Sequence, residues 1–106
     1  MRRGKVYEDI AEEYLKSIGY RILGRNVRCG RGEVDIVALD GNTLVLVEVK
    51  GGRTEEFGHP AERFSEEKLR RLISCGYEIS GGRPFRVDLI VVFGEEVDHI
   101  KNVGFF

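Results

Sequence analysis

Cysteine is scarce, with Cys29 and Cys75 the only two in 106 residues. They stand far apart in no redox or metal half-site spacing, and His59 and His99 bring no close neighbour to either. A zinc centre or a disulfide framework is therefore not what organises the chain. Long apolar runs are missing as well: nothing approaches the roughly 20 residues of a membrane span. The basic start Met1-Arg2-Arg3-Gly4-Lys5 leads into Val6-Tyr7-Glu8-Asp9, where a signal peptide would need its apolar region. The expected setting is cytoplasmic, without a membrane partner. Net charge is also lacking, because 17 basic against 18 acidic residues leave −1, so the usual basic footprint of a nucleic-acid-binding domain is absent in bulk. No internal repeat, low-complexity tract or domain boundary is visible, and residues 1–106 read as a single domain able to bury a core with a modest stability margin.

What is present is a globular balance of 42% hydrophobic and 33% charged residues. From about Lys5 to Ile18, Val6, Ile10, Tyr14 and Ile18 recur at helical spacing, with Tyr7, Ala11 and Leu15 filling the same face. Glu8 lies at the border of that apolar arc, placed to reach round the helix edge, whereas Asp9 and Glu12 point outward. Gly19 is a helix stop, and a strand starts at Tyr20 and extends toward Val27. A second helix starts at Ser65 as N-cap, with Glu66 and Glu67 in its first turn and a stripe of Leu69, Leu72, Ile73, Gly76 and Tyr77. Phe85 to Phe93 has too few polar positions for a wet face and reads as a central strand. A weaker strand follows from about Asp98 to Val103. The order implies an α/β fold, a mixed central sheet of about five strands flanked by two helices.

The centre of the chain is Gly32 to Lys50, two β-branched apolar runs around Asp40-Gly41-Asn42, which is a strong hairpin signal. Asp35, Glu48 and Lys50 sit where the pattern asks for core. With Gly41-Asn42 as the turn, Asp35 faces Glu48. With Asp40-Gly41 as the turn, the two become diagonal neighbours on one face. Lys50, two residues on, joins that face in either register. A solvated cross-strand ion pair is the plain alternative, and Leu44 and Leu46 on the same face argue against full exposure.

Two convergent carboxylates and a lysine suit a hard divalent cation such as Mg²⁺ (or Mn²⁺), with the Val49 carbonyl as a further oxygen and Glu8 as a further carboxylate. A lysine beside metal-bound water can orient the nucleophile and offset charge on a phosphate, which points to hydrolysis of a phosphodiester. Arg21, Arg25, Arg28 and Arg31 precede the hairpin with no acid among them, and Lys68, Arg70 and Arg71 cluster later. A charge run is commonly a solvated face; beside this hairpin the arginine stretch before Gly32 is also a candidate phosphate contact. The glycine-rich stretch from Gly51 to Pro60 reads as a loop leaving the strand of Lys50, a candidate flap.

Asp35, twelve residues, then Glu48-Val49-Lys50 resembles the signature of the PD-(D/E)xK nuclease superfamily, with Val34 in the place of the proline. Together with Glu8-x-x-Ala11, Gly19-Tyr20-Arg21-Ile22-Leu23, Arg25-Asn26, Gly32-Glu33-Val34-Asp35, Phe57-Gly58, Lys68 and Arg86-Val87-Asp88, it resembles the YraN-like family of small bacterial proteins over nearly the whole chain. The resemblance implies a restriction-endonuclease-like core, similar also to archaeal Holliday-junction resolvases. On that basis Asp35, Glu48 and Glu8 are expected as metal ligands and catalytic carboxylates, Lys50 as the catalytic lysine, and Lys68 as an auxiliary phosphate contact. Nucleic acid, DNA first, is the expected partner, and a homodimer is carried over from resolvase-like relatives. The expected function is a metal-dependent endonuclease acting on DNA, branched DNA included. The alternative is a nucleic-acid-binding or scaffolding module with the fold and no turnover, and a purely structural interaction domain is a third.

Overall fold

The computed structural model describes residues 3–30, 32–52 and 65–103. Its elements are α1 (Arg3–Ser17), β1 (Arg21–Cys29), β2 (Gly32–Asp40), β3 (Thr43–Gly52), α2 (Glu66–Ile79), β4 (Phe85–Phe93) and β5 (Glu96–Ile100). They form the expected mixed sheet, in the order β1-β2-β3-β4-β5. β1, β2 and β3 are an antiparallel meander, β3 and β4 are parallel neighbours, and β5 returns antiparallel to β4. A parallel pair needs a crossover, and α2 lies within the connection from β3 to β4.

Alternation of apolar side chains along the strands puts one core on each face of the sheet. On the first, Ala11 and Leu15 of α1 pack with Tyr20, Ile36, Ala38, Val45, Val47, Ile90 and Val92. On the second, Leu72 and Cys75 of α2 pack with Cys29, Val37, Leu44, Leu46 and Val87. Both faces of β3 and β4 are thus covered, which explains their near-continuous apolar sequence.

Several boundaries and stripes differ from the sequence expectation. On α1 the buried line is Ala11–Leu15, while Val6, Ile10 and Ile18 keep 37–42% of their surface. The helix meets the sheet along the Tyr7–Ala11–Leu15 diagonal, leaving Val6 and Ile10 at its rim. On α2 the stripe follows Leu72, Cys75 and Gly76, and Tyr77 is 75% exposed. A Cβ on Gly76 would stand 2.1 Å from the Phe85 ring, so the helix is seated on that ring at its glycine. Gly51 and Gly52 extend β3 rather than starting a loop, because β4 continues to pair them. The rest of the expected flap, from Arg53, lies outside the described residues. β5 begins two residues early, since Gly94, at φ +63°, makes a tight turn that sets Phe93 opposite Glu96.

Candidate active site

The register is that of the Gly41-Asn42 turn: Asp40 pairs with Thr43 and Leu39 with Leu44, up to Ile36 with Val47. One step further sets Asp35 opposite Glu48, but there the β2–β3 ladder has ended. The Val49 N–H donates instead to Asp35 Oδ2, at 2.8 Å. Within a strand the N–H and C=O of one residue point to the same side, so the Val49 carbonyl also faces the β2 side. A backbone hydrogen bond replaced by a carboxylate is how the sheet makes room here for a polar site.

Glu48 is 1% exposed. Its Oε2 receives Lys68 Nζ of α2 at 2.9 Å and Lys50 Nζ at 3.4 Å. Its Oε1 is buried and has no hydrogen-bond partner among the described residues. A buried acceptor left unsatisfied costs about 1–3 kcal/mol, more when charged, so Oε1 calls for a cation or for the proton of the neighbouring Asp35 carboxyl. Burial, and next the neighbouring Glu48 carboxylate, push Asp35 up to about 7. Burial lowers Lys68, but Glu48 outweighs it and the ammonium is held above its ordinary range.

These groups fit a hard divalent cation: one orphaned carboxylate oxygen, a second carboxylate whose ionisation is resisted for want of positive charge, and a backbone carbonyl alongside. Asp35, Glu48 and Val49 would hold it. Among the described residues no three His, Cys, Asp or Glu side chains stand close enough together to form a metal cage. That agrees with Mg²⁺ practice, in which one or two carboxylates suffice and waters and phosphate complete the shell.

Glu8 is placed differently from the expectation. Its carboxylate turns to β1, where Arg25 Nη2 lies at 3.3 Å and Asn26 Nδ2 at 3.1 Å. Glu8 contributes to the resistance against Asp35 ionising, as the smallest of the causes. Asn26 Nδ2 also donates to Glu33 Oε1 at 3.3 Å, so an amide links Glu8 to the acid beside Asp35. Neither Asn26 nor Glu33 has a role that sequence spacing could assign. The Arg25-Asn26 and Gly32-Glu33 pairs of the resemblance were the only signal. α1 is fixed at this end of β3 by Tyr7, whose ring occupies the space that a Cβ on Gly51 would need, 2.2 Å away.

The three described arginines of this stretch do not make one patch. Arg25 is engaged by Asp9 at 2.6 Å, with Glu8 and Glu12 behind it. Arg21 pairs with Leu39 at the far end of β1, roughly 20 Å from Arg28 at about 3.3 Å per residue. Arg31 lies outside the described residues. Arg28 alone of the described three lines the cleft beside the carboxylates, with Gly30, Gly32, Glu33, Asp35, Lys68, Arg71, Leu72 and Cys75. Closeness in a strand sequence spreads side chains along a line, whereas the cleft gathers them across β1, β2 and α2.

A second polar cluster, on the α1 face, was not expected. Asp88, fully buried, accepts from Arg86 Nε at 2.9 Å, His99 Nε2 at 2.7 Å and the Asn102 N–H at 2.9 Å. With Nε2 donating, His99 Nδ1 accepts the Tyr14 hydroxyl at 3.1 Å. Arg86 also reaches Asp40 at 3.1 Å and the Tyr20 hydroxyl at 2.6 Å. Burial raises Asp88, but the bonds from His99 and Arg86 outweigh it and hold the carboxyl below its ordinary range. Both carboxylate oxygens have partners, in contrast to Glu48, so this cluster reads as a lock of the fold.

A hairpin-borne pair of carboxylates facing two lysines, in a five-stranded mixed sheet between two helices, defines a small α/β protein with a candidate acid–lysine site. The chain belongs to the family described as "Uncharacterised protein family UPF0102", the YraN-like family, whose pattern matches residues 7–92. It is 45% identical over 102 residues to a UPF0102 protein of Aquifex aeolicus, covering 96% of each chain. It is 44% identical over 110 residues to one from Kosmotoga olearia, covering 98% of this chain and 94% of that one. No described helix is long and apolar enough to cross a membrane.

Proposed function

We propose that the chain is a divalent-metal-dependent endonuclease of the PD-(D/E)xK kind, hydrolysing phosphodiester bonds of DNA. The observation that carries this reading is the unpartnered, buried Oε1 of Glu48, set beside Asp35 and two lysine ammonium groups. When bound, Mg²⁺ or Mn²⁺ would supply Lewis-acid polarisation of the phosphate and a water of lowered pKa. The protein's own groups do the rest. Asp35 and Glu48 provide the negative oxygens, and the Val49 N–H fixes the Asp35 rotamer by its 2.8 Å bond. Lys50 Nζ, whose side chain is 31% exposed, is open to a water or to a phosphate oxygen, the position that a lysine orienting a nucleophile requires. Lys68 Nζ lies on the same Glu48 oxygen and can offset charge developing on the phosphate.

The test is a cleavage panel of four-way junctions, flaps, single strands and duplexes with Mg²⁺, Mn²⁺ or chelator. Cutting with metal and none with chelator is expected, with loss of at least a hundredfold for Lys50→Ala or Asp35→Ala, the scale of one general acid–base or electrostatic group. Full cleavage by Lys50→Ala would sink the assignment. Salt-dependent binding without cutting would favour a binding module, a reading supported by both lysines already neutralising Glu48 Oε2.

A further inference from the structure

Asp35 and Lys68, the two groups of the site that line the cleft, account for only part of its lining. Its volume is about 300 Å³, and its lining adds two guanidinium groups, Arg28 at the end of β1 and Arg71 on α2. Arg28 is exposed and makes no ion pair among the described residues. Among the described residues Arg71 is paired only with Glu67, one turn back on its own helix, both of them half-exposed or more. Such a pair is worth a few tenths of a kcal/mol and yields readily to a stronger anion. The Arg71 stem passes close to the start of β2: a Cβ added at Gly32 would meet its Cβ at 3.7 Å. Glycine lines the cleft at Gly30 and Gly32, where bare backbone permits close approach.

Among the described residues no lining side chain is aromatic, and the apolar ones, Leu72 and Cys75, are only 2% and 3% exposed. Without a stacking platform the cleft is poorly suited to a base. Two guanidinium groups suit phosphate oxygens. A space of about 300 Å³ is at the lower bound of ligand pockets and admits about one nucleotide unit. A space of that size suits one strand better than the width of a duplex.

We infer that Arg28 and Arg71 hold a backbone phosphate neighbouring the reacting one, in an unpaired stretch of strand, with no base read at that position. This rests on the nuclease reading for the word "reacting", but binding can be measured without any cutting. The probe is a fluorescein-labelled single-stranded thymidine 20-mer in EDTA, titrated from 50 to 300 mM NaCl against wild type and Arg28→Ala/Arg71→Ala. Affinity should fall about tenfold or more, the weight of a charge-assisted phosphate contact. The slope of log K against log salt should flatten by about 0.7 for the one phosphate lost. Arg28→Lys/Arg71→Lys should keep most of the slope, and Arg70→Ala, an exposed residue of α2 outside the cleft, should keep both slope and affinity. An adenosine 20-mer should show the same loss as thymidine.

An unchanged slope in the double alanine variant, confirmed folded by its melting curve, overturns the inference. So does an equal loss with Arg70→Ala, which would reduce the effect to general surface charge. An equal loss on a 20-base-pair duplex overturns the requirement for an unpaired strand. If the slope changes as expected while no metal supports cleavage by wild type, the phosphate site stands and the nuclease reading falls. Metal-dependent cleavage with an unchanged slope gives the reverse.

Discussion

Asp35 is a carboxyl group whose ionisation the fold resists. Burial and Glu48 raise it to about 7, against about 3.9 in an unfolded chain. Between those values the native state binds more protons than the unfolded one, so this group makes stability fall as pH rises. Its contribution is most favourable below about pH 4 and has been lost above about pH 7. Asp35→Asn, which can still accept the Val49 N–H, should therefore melt higher than wild type at pH 8 in chelator, and the difference should shrink toward pH 4.5. A variant that melts lower at pH 8 would show that the carboxylate's bond outweighs its burial. Asp88 has the opposite sign. Its carboxyl is held low by His99 and Arg86 after burial is overcome, so its stabilisation is present above about pH 4 and is lost as pH falls through the native pKa. Asp88→Asn removes the charge and turns one of the two accepting oxygens into an NH2 donor that faces other donors, so Arg86, His99 and the Asn102 N–H can no longer all be satisfied. A loss of about 3–5 kcal/mol in urea unfolding at pH 7 is expected, a large part of the roughly 5–15 kcal/mol of a domain.

At the scale of elements, the seat of α2 on β4 sets two effects against each other. Gly76→Ala should gain about 1 kcal/mol of helix propensity, yet its methyl would have to enter the Phe85 ring, 2.1 Å from the ideal Cβ. Overpacking of this kind costs about 1–3 kcal/mol, so net destabilisation is expected by urea denaturation. Phe85→Leu combined with Gly76→Ala should recover part of it, and additive losses would show that the contact is not the cause. At the start of the same helix Ser65 accepts the Lys68 N–H. Ser65→Ala should cost about 1 kcal/mol and loosen the turn that aims Lys68 at Glu48.

How legible these elements were depended on how local their causes are. The β2–β3 hairpin could be read because one turn fixes the register of all its pairs, and Asp35, Glu48 and Lys50 followed from parity alone. β4 could be read because it is apolar on both faces. The helix stripes were offset, since Tyr77 and Cys75 are both plausible at 100° per residue and only the facing Phe85 decides between them. Glu8 was traced to the helix border, but its turn toward Arg25 and Asn26 depends on where β1 lies across α1. The Asp88–His99 bond joins strands through a hairpin whose start was misplaced by two residues, and the convergence of Arg28 and Arg71 needs three elements at once. Sequence spacing carries none of those distances.

At the scale of the whole molecule, the site is a cost that the fold carries until a cation arrives. Glu48 Oε1 is buried without a partner and Asp35 resists ionising, so a ligand that neutralises both should stabilise the native state and not the unfolded one. Linkage sets the size: at a free metal concentration of 100 times Kd the gain is about 2.7 kcal/mol. At about 4 °C per kcal/mol for a domain of this length, that is a rise in Tm of roughly 10 °C. The measurement is a thermal melt of the chelator-treated protein at pH 8 against Mn²⁺ or Mg²⁺, with Kd from calorimetry. Asp35→Asn lacks one negative oxygen and should show only a small part of the rise. At pH 5.5 the wild-type rise at the same metal concentration should also shrink, because the cation must then displace the Asp35 proton. A metal-induced rise equal in wild type and Asp35→Asn would place the ion elsewhere on the surface. No rise at all, with calorimetry silent, would mean that the lysines on Oε2 are all the positive charge this site accepts.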